Sequence, residues 1–105
     1  MEQQFKIEIK KGSTSDTVLF HGNIDSHADS HFDDLIKNVS KRMVIFDFSC
    51  VGRINSMGIA LLLRSIKSLK TEKGAEISIQ GANQINTMLF KMTGIYLLAP
   101  EVKRL

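Results

Sequence analysis

Few residues of this chain have the type and spacing that chemistry needs. The stretch that stands out runs Phe46-Asp47-Phe48-Ser49-Cys50-Val51-Gly52-Arg53-Ile54-Asn55-Ser56-Met57-Gly58, where a strongly apolar segment gives way to a polar turn and then to a helical pattern. In an α/β sheet, ligands and modifications gather beyond the carboxyl ends of the strands. Ser56 falls there, at or beside the N-cap of the following helix. The first N–H groups of a helix lack intrahelical acceptors, so a phosphate carried on this hydroxyl would be locally well tolerated. The same hydroxyl could instead be a plain N-cap, stabilising the helix by about 1 kcal/mol.

The other reactive side chains form no constellation. His21, His27 and His31 do not make a metal set: His21 belongs to a strand, and the other two, although at i and i+4, fall in the first turn of a helix and read as surface residues. Asp47 closes an apolar strand without the acidic pair that an aspartyl phosphoacceptor would need, which leaves a structural role at the strand end. Cys50, the only cysteine, has no partner motif and reads as a small buried or turn residue. A serine hydrolase is disfavoured because the Gly-x-Ser-x-Gly elbow is missing and 105 residues leave little room for a substrate pocket.

Composition narrows the classes further. A chain of 105 residues supports a single domain, residues 1–105, around one core. One cysteine gives no internal disulfide and fits a reducing compartment. The longest apolar run, Ile59 to Leu63, is broken by Arg64, well short of a membrane span, and the charged start Met1-Glu2-Gln3-Gln4-Phe5-Lys6 offers no signal sequence. A cytoplasmic protein without membrane insertion is expected. The net charge of +3 comes from basic residues scattered among acidic ones, so nucleic acid is not an expected partner.

The elements that must carry Ser56 follow from periodicity. Phe5, Ile7 and Ile9 alternate with Lys6, Glu8 and Lys10, predicting an edge strand with one wet face; after the polar turn 12–16 a second strand, Thr17 to His21, completes a hairpin. Phe32, Leu35, Ile36 and Val39 form one helical stripe, opened by Ser26 and Asp29 as a capping box, with Asp29, Asp33, Asp34 and Lys37 toward water. Met43 to Phe48 reads as a central parallel strand covered on both faces, followed by a turn from Ser49 to Asn55. The next helix puts Ile59, Leu62, Leu63 and Ile66 on the core and stops at Gly74. A short strand, Glu76 to Gln80, precedes a third helix with Ile85, Met88, Leu89 and Met92 inward, closing at Gly94; Ile95 to Leu98 is a last strand or a docked turn. Alternation of this kind predicts an α/β fold with a mixed, mostly parallel sheet of four to five strands, an N-terminal hairpin and helices packed on it.

The ordered set of segments resembles the STAS domains, the family of bacterial anti-sigma factor antagonists. Members typically carry a Gly-x-Leu/Ile-Asp segment, a strand ending in Asp-Leu-Ser, and a turn Ile-Asp-Ser-Ser-Gly before a Leu-rich helix. Here these correspond to Gly22-Asn23-Ile24-Asp25, Phe46-Asp47-Phe48-Ser49 and Ile54-Asn55-Ser56-Met57-Gly58, and Lys73-Gly74-Ala75-Glu76 and Met92-Thr93-Gly94-Ile95 match later landmarks. The resemblance therefore spans essentially the whole chain. It implies that Ser56 is the phosphorylated serine. Asn55 stands where the family has Asp, removing a charge beside it, and Met57 replaces a second serine, leaving one acceptor in the motif.

The resemblance also implies a function, that of a binding switch and not an enzyme. The unmodified form would bind an anti-sigma factor with serine-kinase activity, phosphorylation of Ser56 would end the binding, and a serine phosphatase would restore it. Asp25, Asn55, Met57 and Gly58 would surround the phosphosite or touch the partner, Gly58 by its smallness and Asp25 either by positioning the kinase's metal or by capping the first helix. No cofactor or bound metal is implied, and the free protein would be monomeric. The alternative within the same family is a subunit docking on an ABC-type lipid transporter or another ATPase, without phosphorylation control.

Overall fold

The computed structural model describes residues 4–102. The elements run β1 (Lys6–Lys11), β2 (Ser15–Ile24), a 3-10 turn (Ser26–Ala28), α1 (Asp29–Asn38), β3 (Met43–Ile54), α2 (Ser56–Lys73), β4 (Glu76–Gln80), α3 (Gln84–Thr93) and α4 (Ile95–Leu98). The sheet order is β1-β2-β3-β4, with β1 antiparallel to β2 and the other two pairs parallel. This is the mixed, mostly parallel sheet that the hairpin and the later alternation predict. The tail forms the short helix α4 and not a strand, and Glu101 then makes a single bridge to Ile79.

Because β2, β3 and β4 are laid down side by side in one direction, right-handed crossovers carry α1 and α2 to the same face. That face holds the core. Val18, Phe20, Val44, Phe46, Phe48, Ile77 and Ile79 are buried on it, and Phe20 is the hub: it meets Phe32 of α1, Phe46 and Phe48 with ring centroids 5.6, 5.1 and 5.0 Å away. Phe90 of α3 meets Phe48 at 5.0 Å from the same side. The opposite face, with Thr17, Leu19, Ile45, Ser78 and Gln80, is only half-covered. The expectation that β3 is covered on both faces is thus overturned. Its apolar run reflects Phe46 and Phe48 on the core, with Asp47 between them buried by polar partners.

Three further boundaries differ from expectation. β2 extends from Ser15 to Ile24, and β3 continues through the span expected to be a turn, as far as Ile54, so that β2 and β3 stay paired to their ends across two register shifts. Gly22, with φ 88°, sits at one of the shifts. The capping box at Ser26 does not form: the Asp25 carboxylate caps the 3-10 turn by accepting from His27 N at 2.9 Å, and α1 begins at Asp29 without a side-chain cap. In α2, Leu61 and Leu62 are buried while Leu63 is only half-buried, a rotation of the expected stripe by less than one residue.

The largest departure is α3. Ile85, Met88 and Met92, expected inward, are 77, 57 and 81% exposed, and the helix is anchored by Phe90 and by Asn86. The Asn86 amide is buried because it has a partner, donating to Gly52 O at 3.0 Å, while Asn83 caps the helix by accepting from Asn86 N at 2.8 Å.

At the opposite end of the strands from Ser56, Asp16 ties the loop between α1 and β3 to β2. It is fully buried and its Oδ2 accepts from Ser40 N, Lys41 N and Lys11 Nζ at 3.0, 3.1 and 3.3 Å. Burial alone raises its pKa, but these donors outweigh burial and hold the carboxyl below the ordinary aspartate value.

Candidate functional site

The site is built where β2 and β3 end together and α2 begins. Ile24 pairs with Ile54, and Ile24 O accepts from Asn55 N at 3.2 Å, which fixes the exit of β3 against the exit of β2. Asn23 strengthens this junction by accepting from Arg53 N at 2.8 Å. The segment from Gly22 to Asp25 therefore has four distinct duties: a positive-φ position, a side-chain clamp on β3, a core isoleucine and a cap.

Asn55 is the N-cap of α2. Its backbone is extended, its Oδ1 accepts from Gly58 N at 2.9 Å and its carbonyl accepts from Ile59 N at 3.0 Å. Ser56 is the first helical residue and is exposed. The alternative in which Ser56 is merely the cap is overturned, because its neighbour does that work. An aspartate here could present the same capping oxygen that Asn55 supplies.

Met57 is 52% exposed beside Ser56. Gly58 is buried, and a Cβ there would collide with Ile24 O and lie 2.9 Å from Ile24 C and 3.0 Å from Ile54 Cγ2. Its smallness lets α2 start against β2. The close approach that the structure shows at Gly58 is internal. Asp25 follows Ile24 at this edge, and its carboxylate is engaged by His27, whose backbone N and Nδ1 lie 2.9 and 3.2 Å from Oδ1. The carboxylate thus caps the 3-10 turn and not α1, which starts at Asp29 without a side-chain cap.

The remaining candidates lie apart. His21 has its Nε2 2.7 Å from Glu8 Oε1 across the hairpin and is largely covered, whereas His27 is exposed and His31 sets its ring edge-on to Phe5 at 5.1 Å. Among the described residues no three His, Cys, Asp or Glu side chains gather as a metal site requires. Asp47 accepts from Ser49 N, Ser49 Oγ and Gln80 Nε2 at 2.9, 2.6 and 2.8 Å, the structural role expected of it. Cys50 is exposed on β3, neither buried nor in a turn. No helix among the described residues is long and apolar enough to cross a membrane.

One feature close to Ser56 goes beyond what the spacing predicts. The outward face of α3 and the last residues of β3 form a groove of about 610 Å³, with Ile54, Ile85, Met88, Leu89 and Met92 as its apolar wall and Asn55 also lining it. The signal for it is the apolar stripe on α3, which periodicity alone does not distinguish from a core face.

The fold has solved counterparts. An anti-sigma factor antagonist from Mycobacterium paratuberculosis superposes with a TM-score of 0.76 at 16% identity, covering 93% of this chain and 85% of that one. The anti-sigma factor antagonist SpoIIAA, a Bacillus cell fate determinant, matches in its unphosphorylated form (TM-score 0.74, 15% identity, 97 and 89% coverage) and its phosphorylated form (0.67, 14%, 97 and 92%). A sulfate transporter family protein from Wolinella succinogenes matches at 0.72 and 11% identity, covering 84% of this chain and 73% of that one. A search of curated proteins by sequence returns no relative. The STAS domain model matches residues 8–102, nearly the whole chain, and the protein belongs to the STAS domain family.

Proposed function

We propose that this STAS domain is a phosphorylation-controlled binding switch of the anti-sigma factor antagonist type, acting in the cytoplasm without catalysing a reaction of its own. The observation that carries the reading is the exposed Ser56 at the first position of an 18-residue helix, with its hydroxyl not needed for capping. A kinase reaches it without unfolding anything. The unmodified surface binds a partner, an anti-sigma factor or serine kinase of the partner-switching type, and a serine phosphatase resets the system. The phosphate adds about −1.5 to −2 charges, which the helix N-terminus tolerates and a desolvated interface does not. Likeness to SpoIIAA, a protein solved in both phosphorylated and unphosphorylated forms, supports this reading.

The test compares Ser56→Ala with Ser56→Glu. Both variants should melt close to the parent. Titrated against the partner recovered from cell extract, Ser56→Ala should bind as the unmodified protein does and Ser56→Glu should bind more weakly, while mass spectrometry of the native protein should find phosphate on Ser56. Equal affinities for all three would refute the switch. A second reading is motivated by the likeness to a sulfate transporter family protein: the domain docks on a transport ATPase, such as an ABC-type lipid transporter, and Ser56 plays no part. Copurification with membranes and an ATPase, together with equal affinities, would favour it.

A further inference from the structure

The groove beside Ser56 is an unpartnered apolar surface with a definite charge, and we infer that it receives an amphipathic helix with acidic flanks from the partner protein. Ile85, Met88 and Met92 lie at i, i+3 and i+7 on the outer face of α3 and are more than half exposed, so α3 displays a two-turn apolar ridge facing Ile54 across the groove. Methionine side chains repack easily and suit a bound apolar stripe. The ridge matches the i, i+3 or i+4, i+7 anchors of a helix laid alongside.

Charge selects the partner's flanks. Between Cys50 and Thr71, and again between Ile77 and Pro100, the sequence contains no Asp or Glu, and these two segments supply every residue of the groove. Arg53 lines it, is exposed, and joins no ion pair among the described residues. A basic helix would meet Arg53 as a like charge and a neutral one gains nothing from it, whereas an acidic one gains an unshared cation in a groove without acidic lining.

Other occupants fit less well. A small apolar ligand would remain largely wet in a groove open along its length, since ligand sites normally bury most of their guest. A second copy presenting this same face would offer Arg53 no acidic lining residue to pair with. Strand addition along the end of β3 is obstructed because Asn86 already occupies the Gly52 carbonyl.

The inference rests on the binding-switch reading and deepens it. Ile54 and Asn55 line the groove and Ser56 comes next in the chain, so a phosphate there would place negative charge beside the acidic helix. Release would then follow from like charges meeting, with no change of fold.

The test selects binders to the whole protein from a displayed library of helical peptides about 15 residues long, enough to lie along α3. The enriched peptides should carry an apolar stripe with Asp or Glu beside it. Their amide chemical-shift changes should fall on residues 52–55 and 83–92, and Met88→Glu or Arg53→Glu should weaken them at least about tenfold. Both positions are exposed, and circular dichroism verifies folding. Enrichment of basic or uncharged peptides, shifts elsewhere, no enrichment, or self-association abolished by Met92→Glu would each overturn the inference. The same peptide titrated against Ser56→Glu separates it from the switch. Groove binding unaffected by Ser56→Glu keeps the groove and removes the coupling; loss of the native partner on Ser56→Glu but not on Met88→Glu keeps the switch and removes the groove.

Discussion

Replacing Gly58 by alanine probes the contact that positions Ser56. The added methyl would enter the Ile24 carbonyl oxygen and press on Ile24 C and Ile54 Cγ2, at 2.9 and 3.0 Å. The isoleucine methyl can rotate away. The carbonyl cannot, because it is a strand terminus that also accepts from Asn55 N at 3.2 Å. Relief requires the first turn of α2 to lift off β2, stretching that hydrogen bond and weakening the Asn55 cap. Overpacking of this kind costs about 1–3 kcal/mol, and the lost hydrogen bond adds roughly 0.5–1.5. Alanine's better helix propensity returns up to about 1 kcal/mol. The expected balance is a destabilisation of roughly 1–3 kcal/mol, or about 5 to 20 °C in melting temperature for a domain this size. Urea unfolding should show a lower midpoint with an unchanged slope. A variant as stable as the parent would mean that the strand end does not hold the helix start, and the exposure of Ser56 would lose its structural basis.

Asn55→Ala should destabilise by about 1 kcal/mol in the same assay, whereas Asn55→Asp, which keeps the acceptor and adds a charge at the positive helix end, should be at least as stable as the parent. Leu62→Ala should cost about 2–5 kcal/mol and Leu63→Ala clearly less, since only Leu62 is fully buried. Arg64→Ala should change stability by less than about 1 kcal/mol, because its pairs with Asp29 and Asp33, at 2.6 and 3.7 Å, are exposed. Asp16 has a folded pKa below the ordinary 3.8, so its contribution is complete above that value and disappears as pH falls through the lower folded one. Acid unfolding of Asp16→Asn should therefore lack that part of the pH dependence, and a parallel acid limb would show that the carboxylate is not stabilised by the fold.

Much of this architecture is legible in the residues. Alternation from Phe5 to Lys10, the stripe from Phe32 to Val39, and the glycines at 74 and 94, with φ of 61 and 81°, each specify a local structure that the fold adopts. The turn expected from Ser49 to Asn55 is different. Polar residues and Gly52 suggest a loop, but parallel pairing with β2 extends the strand to Ile54, and pairing across thirty residues leaves no local trace. The same holds for the half-covered sheet face, which follows from the spatial order of β2, β3 and β4. For the site, Ser56 is correctly brought to a helix start, while the assignment of capping to Asn55 depends on which of two adjacent residues has extended backbone.

α3 shows most clearly where periodicity stops being informative. Ile85, Met88, Leu89 and Met92 do form one helical face, but a stripe states only that a face is apolar, not which body covers it. The decision lies with the opposite face, where Phe90 packs on Phe48 and the Asn86 amide finds Gly52 O; together they anchor α3 with its apolar ridge outward. Turning the helix over would bury the ridge but leave a phenylalanine wet and a backbone carbonyl without its donor. The unsatisfied carbonyl alone costs about 1–3 kcal/mol. The protein thus keeps an exposed apolar ridge next to Ser56 because a buried asparagine holds it there. Asn86→Leu, which retains bulk but loses the hydrogen bond, should loosen α3 and expose it to amide exchange before the rest of the domain opens. If α3 stays as protected as β3 in that variant, Phe90 alone sets its orientation.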